Sequence, residues 1–425
     1  MIYVVKSGDS LWRISQRYNV SIQAISEVNG LASVDQLVPG LALYIPKESL
    51  NDRVYVIQAG DTYWKLAQRF QTSTQLIIEA NPGVDPSLLS IGQQIQIPSP
   101  QPLNIETLGF LVPYNIEPFL PRLQEISQHL TYLAVVAYSF TEEGYAYKQG
   151  EDEQVVEACK QFGIQPLLCI RNFKDGDFSA ELVGGVFANE SYRTNLVQSM
   201  VRFVDQQGYA GVSIDFEFVP PPQRGDFELF LQALKTELGG RILHVNVHAK
   251  TADVPTNPII GAYDYKVIGE IADIVAVMTI DYGYPTGPPK AIAPIWWMEE
   301  VVRFALTKIP ARKMQVSFPV YGYDKVIPGF ETSALSALDA QNMAIRRWLP
   351  IQFEERSQSP FYRYVLNNRQ HEVWFEDIRS YKAKYELLDA YNLLGTTFWQ
   401  VRFRFPQNWA FMDQHIKVMK DLDKV

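Results

Sequence analysis

Hydrophobic and polar positions change rhythm along this chain near residue 105. Upstream, short β-branched stretches bracket pairs of helical patterns, and the arrangement occurs twice. In the first copy Tyr3–Val5 reads as a strand, and Leu11, Ile14 and Tyr18 fall on one face of a helix. Ile22–Val28 reads as a second helix, and the apolar stretch before Pro46 as a closing strand. Tyr3, Gly8-Asp9, Trp12, Gln16-Arg17, Asn29, Gly40 and Pro46 return at one constant offset as Tyr55, Gly60-Asp61, Trp64, Gln68-Arg69, Asn81, Gly92 and Pro98. So many matches at one spacing mark a duplicated unit. Asp9 or Ser10 can cap the first helix, because a side-chain oxygen there accepts from an otherwise orphaned backbone N–H. The units are expected at 1–47 and 53–99, joined by Lys47–Arg53 and followed by a Pro-containing, semi-rigid Ser99–Asn104. Units this short bury little and leave small room for an active site. Neither holds a His, a Cys or a carboxylate pair suited to catalysis, so both read as binding modules.

From Ile105 onward, short apolar runs alternate with longer helical patterns. Strands are predicted at Thr107–Val112, Tyr132–Tyr138, Gln165–Ile170, Gly211–Phe216, Ile242–Val247, Ile274–Met278, Met314–Pro319 and Gly395–Trp399. Eight strands with helical crossovers predict an α/β fold, a (β/α)8 barrel over 105–425. The gap before the last strand is the longest. Within it Phe361-Tyr362-Arg363-Tyr364 and His371-Glu372-Val373-Trp374-Phe375 read as an antiparallel hairpin, placing a small α+β insertion at 326–375.

The segment Gly211–Val219 carries the candidate chemistry. Alternation sends Val212, Ile214, Phe216 and Phe218 toward the helices, and Ser213, Asp215 and Glu217 into the barrel. Two carboxylates then share one face about 6.5–7 Å apart, at the strand end where barrel enzymes keep their active sites. Burying both raises the pKa of at least one, and a carboxylic acid kept neutral near pH 7 is what a general acid requires. The alternative is a solvated strand end or an ion pair with barrel Lys or Arg. His244, Asn246 and His248 also share a face, but without a third ligand at suitable spacing they read as a polar barrel layer. Pro220-Pro221-Pro222 is expected as a stiff rim loop.

Composition narrows the classes further. Lys and Arg total 38 against 47 Asp and Glu, a formal charge of −9, which opposes unspecific binding to nucleic acid or anionic membrane. No apolar run approaches the roughly 20 residues of a membrane span. Two cysteines, Cys159 and Cys169, cannot build a disulfide framework or a four-thiolate zinc site. The start lacks a basic, then apolar, leader, so an ordinary secretory route is not expected if this is the native beginning.

Both N-terminal units resemble LysM domains. The Tyr-x-Val-x-x-Gly-Asp-(Ser/Thr) start stands in the first unit and, with Ile57 in place of Val, in the second; the mid-unit Asn and the terminal Gly-x-x-(Leu/Ile)-x-Ile-Pro stand in each. That resemblance implies a βααβ fold gripping N-acetylglucosamine-containing glycans. The implied grooves are Gly8, Asp9 and Ser10 with Asn29, Gly30 and Leu31, and Gly60, Asp61 and Thr62 with Asn81, Pro82 and Gly83. Two such modules on one polymer gain by effective concentration.

The longer domain resembles glycoside hydrolase family 18, whose signature is Asp-x-x-Asp-x-Asp-x-Glu at the fourth strand. Aligned on Glu217, this chain has Ala210, Ser213, Asp215 and Glu217, matching at the last two positions. Met278-Thr279-Ile280-Asp281, Phe318-Pro319-Val320-Tyr321-Gly322, Val373–Asp377 and Phe398-Trp399 add to the resemblance. It implies a substrate-assisted mechanism with Glu217 as acid and base and Asp215 orienting the substrate's acetamide, needing no metal or organic cofactor. Ser213 stands where the family's second Asp would share a proton with Asp215; its hydroxyl can still donate to that carboxylate. Ile280 replaces a Tyr that hydrogen-bonds the acetamide carbonyl, for which Tyr282, Tyr284 or Tyr321 could substitute. Trp399 fits a hydrophobic floor under the sugar, and Asp281, Met278, Asn172, Tyr138, Trp296 and Trp297 are further subsite candidates.

With paired LysM units the chain is most similar to the spore cortex-lytic N-acetylglucosaminidases of spore-forming Firmicutes. The expectation is a monomer associated with the spore, made in the mother cell and acting on peptidoglycan or a related glycan. A chitinase and a non-catalytic glycan-binding lectin are the rivals.

Overall fold

The computed structural model describes residues 1–47, 51–329 and 331–420. Residues 48–50 of the expected first linker, 330 of the insertion and 421–425 of the expected barrel domain lie outside them. In the first unit, strand Ile2–Val4 pairs antiparallel with Ala42–Tyr44 around helices Leu11–Tyr18 and Ile22–Asn29. Ser10 is the cap, its hydroxyl accepting from Arg13 N–H at 3.3 Å. Asp9 instead accepts from Tyr3 Oη at 2.6 Å and Lys6 N–H at 2.7 Å, tying the turn to the strand. The second unit repeats this with strands Asn51–Val56 and Gln94–Ser99 and helices Tyr63–Arg69 and Thr74–Ala80.

Eight parallel strands close into a barrel: β1 (Leu103–Leu111), β2 (Tyr132–Phe140), β3 (Gln165–Arg171), β4 (Gly211–Asp215), β5 (Ile242–His248), β6 (Ile274–Met278), β7 (Met314–Pro319) and β8 (Gly395–Trp399). Pairing of β8 with β1 closes the ring, with Gly395 opposite Glu106. Leu108, Phe110, Tyr132, Ala134, Val136, Leu167 and Cys169 form a cluster inside it, distinct from the large apolar layer between strands and helices. β1 starts at Leu103, earlier than the pattern predicts, and its first residues pair with Ile416–Val418 near the chain's end.

Between β7 and β8 lies a five-stranded antiparallel sheet in the order Thr332–Ser336, Tyr321–Ile327, Arg369–Trp374, Ser359–Leu366, Gln352–Glu354, with helix Ala337–Arg346 on it. The hairpin read from the sequence is its centre, Tyr362 facing Val373. The sheet begins at Tyr321, upstream of the expected start. The first repeat shares a core with this sheet: Leu11, Ile14, Ile25, Leu41 and Leu43 pack with Ala344, Ile345, Ile351, Tyr362 and Phe375. The second repeat keeps a core of its own around Leu66, Ile77 and Ile97. It meets the barrel through Arg53, whose guanidinium donates two 2.7 Å bonds to the Asp389 carboxylate.

Candidate active site

A cleft of about 290 Å³ opens at the C-terminal ends of the barrel strands. Asp215 ends β4, and Glu217 follows two residues beyond it, both lining the cleft as alternation predicts. The alternation stops there. Phe216 packs outward against Phe140, Phe187 and Phe230. Phe218, which alternation sends toward the helices, has a left-handed φ of 56° that turns its ring over His248 instead. Glu217 is held by its backbone: its N–H donates to Asn172 Oδ1 at 2.9 Å, and its carbonyl accepts from Asn172 Nδ2 at 2.8 Å.

Burial pushes the Asp215 pKa up to about 6, with the Arg171 charge opposing the rise. Glu217 goes further, to about 8, through burial first and then the negative charges of Asp215 and Asp281. Of the pair, Glu217 is the member held further toward its protonated form. Arg171 sits beside Asp215 in the β3–β4 register, its guanidinium 4.3 Å from the Phe173 ring centre.

Across the cleft stand Met278, Ile280 and Asp281 from the end of β6, with Phe110, Phe178, Ser317 and Trp399. The Trp399 indole lies tilted against Phe110, ring centres 5.4 Å apart. Asp281 accepts from Tyr321 Oη and Tyr323 Oη, each at 2.8 Å. Both phenols come from the first strand of the insertion, so that sheet builds part of the cleft wall.

Several candidates fall elsewhere. Tyr138 is buried outside the barrel, its hydroxyl on Asp152 and its ring against Phe203 and Tyr209. A bulge explains the miss: Val136 and Tyr138 oppose consecutive β3 residues, so one extra residue flips the alternation. Asn172 is fully buried and clamps Glu217, so it lines no subsite. Ser213 does not reach Asp215; its hydroxyl pairs with His244 Nδ1 at 2.9 Å and takes a 3.3 Å bond from Asn246. Tyr321 is committed to Asp281, Tyr282 packs on Trp296 and Trp297, and Tyr284 stands 52% exposed on the rim. Arg171, Phe178, His248 and Tyr323 were missed; for His248 the shared face with Asn246 was the available signal.

In the repeats, Asn29 and Asn81 are structural. Asn29 Nδ2 donates to Ile25 O and Tyr44 O, and Asn81 does the same to Ile77 O and Gln96 O, locking helix to strand. Asn29 and Gly30 also lie under the insertion's helix: Gln341 donates to Asn29 O, and Asn342 to Gly30 O. That side of the first unit, with the half-buried Leu31, is therefore covered, contrary to the expected groove. Gly8 and Ser10 stay exposed, as do Gly60, Thr62, Pro82 and Gly83, with Asp9 and Asp61 half-buried in their turns.

Comparison with known proteins agrees with this architecture. Residues 176–403 match the model of glycosyl hydrolases family 18, and residues 3–46 and 55–98 match the LysM domain. The chain is 35% identical over 415 residues to the putative sporulation-specific glycosylase YdhD of Bacillus subtilis, covering 96% of this chain and 97% of that one. It is 30% identical to the cortical fragment-lytic enzyme of Bacillus anthracis, over 99% of each. The crystal structure of the Bacillus megaterium spore cortex-lytic enzyme SleL superposes with a TM-score of 0.82 at 32% identity, covering 99% of this chain and 98% of that one. The chain belongs to glycoside hydrolase family 18 and carries two LysM domains ahead of its barrel.

Proposed function

We propose that this glycoside hydrolase is an N-acetylglucosaminidase of spore-cortex peptidoglycan, cleaving after N-acetylglucosamine with retention. The observation that carries the reading is the placement of Asp215 and Glu217 together on the cleft at the C-terminal end of β4, where burial raises both carboxyl pKa values and Asp215 adds to the rise at Glu217. Glu217 gives its proton to the glycosidic oxygen as the bond to the anomeric carbon breaks. The sugar's own acetamide oxygen attacks that carbon, forming an oxazolinium ion. Asp215 orients the acetamide N–H and offsets the growing positive charge from its buried position at the end of β4. Glu217, now a carboxylate, then takes a proton from the water that opens the ring. Trp399 and Phe110 give the pyranose an apolar floor.

The substrate class is supported by the relatives, whose names describe cortex lysis and sporulation, and by the paired glycan-binding repeats. A spore-associated site of action follows from the same likeness. The test is to incubate the protein with purified cortex fragments, vegetative wall and chitin oligomers and identify new reducing ends by mass spectrometry. New N-acetylglucosamine ends from cortex support the proposal. Release from chitin alone would point to a chitinase, and binding without release to a lectin.

A further inference from the structure

His248 ends β5 on the cleft wall, and its Nε2 is buried without a hydrogen-bond partner. That nitrogen lies 3.4 Å from Glu217 Oε2. The gap is long for a hydrogen bond, yet close enough for the ring to feel the carboxyl's charge. The imidazole is fixed between two aromatic rings, with Phe218 tilted over it and Tyr263 meeting it edge-on, each at 5.4 Å. Those brackets are themselves anchored. Tyr263 Oη donates to Phe216 O at 2.7 Å, and Tyr265 Oη donates to His248 O at 2.6 Å. The backbone before Glu217 and the backbone of His248 are thus tied to Tyr263 and Tyr265 at the start of one helix, which sets the ring's distance from Glu217. Burial holds the imidazole pKa down to about 4, so the ring is neutral at working pH and carries one N–H.

We propose that His248 is a positioning residue for Glu217, donating an Nε2–H bond to the carboxylate formed once that side chain has delivered its proton. The inference rests on the hydrolase reading for its role in turnover, but the contact itself does not. Glu217 loses its proton to the leaving oxygen and regains one from water, while His248 keeps its own proton throughout. The contact is open while Glu217 is protonated and closes when it is charged, so it stabilises the state that follows proton delivery. Such a donor is needed because Asp215, Asp281 and Asp177 all disfavour a charge on Glu217, and Arg171 favours it. Tyr263, the remaining titratable group against the ring, stays a neutral phenol, since burial and the nearby Glu217 charge raise its pKa.

The experiment is a carbon-13 NMR titration of the Glu217 carboxyl in the full chain, beside the pH dependence of kcat and KM, for wild type, H248F and H248Q. Phe preserves the aromatic sandwich and removes the N–H; Gln restores a donor. H248F is expected to raise the Glu217 midpoint by about one pH unit and lower kcat about tenfold with KM little changed. H248Q should recover part of both. An unchanged or lowered midpoint in H248F overturns the proposal, as does an H248Q that titrates like H248F. If H248F does not fold, H248L makes the same comparison. A shifted midpoint in a protein that cleaves no glycan would sink the hydrolase reading while leaving the contact to Glu217 standing.

Discussion

The Asn172 clamp gives the sharpest test of how this fold aims Glu217. Replacing Asn172 by Ala removes the acceptor for Glu217 N–H, the donor to Glu217 O and the donor to Ser179 O at 2.9 Å. Each buried backbone group left unpaired costs about 1–3 kcal/mol, so a total loss of about 2–5 kcal/mol is expected after partial relaxation. The catalytic cost has a different origin. Glu217 lies beyond the last ladder bond of β4, so with the clamp gone its backbone is no longer fixed on that side. A displacement of about 1 Å in a reacting group lowers turnover roughly 100-fold. Asn172→Ala should therefore lower kcat about 100-fold with KM within about threefold, measured well below the unfolding midpoint on cortex fragments. Asn172→Asp keeps the acceptor but sets a carboxylate against Glu217 O, and should fare no better. A variant that is destabilised yet turns over within threefold of wild type would show that β4 alone positions Glu217.

Four further outcomes follow from the same geometry. The profile of kcat/KM should be bell-shaped, falling below about pH 6 as Asp215 protonates and above about pH 8 as Glu217 loses its proton, with both limbs belonging to the pair. Glu217 has a raised folded-state pKa, so its contribution to stability is complete below the ordinary carboxylate range and is lost as pH climbs toward 8. Glu217→Gln should abolish turnover and widen its Tm advantage over wild type between about pH 5 and 9, which calorimetry reads directly. Tyr321→Phe or Tyr323→Phe frees one side of Asp281 and should lower kcat/KM about 3- to 10-fold, whereas Tyr282→Phe and Tyr284→Phe should stay within about twofold. At Gly30 (φ 56°) an added Cβ would lie 2.7 Å from Leu338 and 2.8 Å from Pro406, so Gly30→Val should cost about 3–5 kcal/mol in thermal unfolding.

Periodicity carried the architecture because strands and amphipathic helices announce themselves locally. The bounds of β6, β7 and β8 agree with the pattern, and the repeat is visible from its constant offset. Asp215 and Glu217 are legible because alternation holds through Glu217. It fails at Tyr138, where a bulge inserts one residue, and at Phe218, where a positive φ redirects the ring. Neither event leaves a compositional mark. Asn172 was visible as a polar residue after β3, but its role depends on Glu217, 45 positions on, and distant pairings cannot be read from spacing. Phe178 reaches the cleft from a hairpin of two-residue strands, too short for any period to show. Coverage of Asn29 and Gly30 was hidden for another reason: the covering residues lie more than 300 positions away, and Gln341 and Asn342 look like ordinary helix polars.

That coverage changes what the duplication means. Equal sequence signatures suggested equal roles, yet the two units are joined to the barrel in different ways. The first has merged its core with the insertion's, and Gln407 reaches Asn29 Oδ1 and Ala42 O, both at 2.8 Å, from the helix after β8. The same insertion supplies Tyr321 and Tyr323 to Asp281, and its buried Lys325 donates to the carbonyls of Pro285 and Gly287 in the rim loop. Loosening the first unit therefore strips apolar cover from one face of a sheet whose other face carries Tyr321 and Tyr323 to the cleft wall. Packed cores transmit such a change because they resist compression. The second unit has no comparable entanglement among the described residues; its core is self-contained and its Gly60-Asp61-Thr62 and Pro82-Gly83 turns face solvent. One copy of the repeat is thus built into the support of the cleft wall, while the other keeps its turns open to solvent.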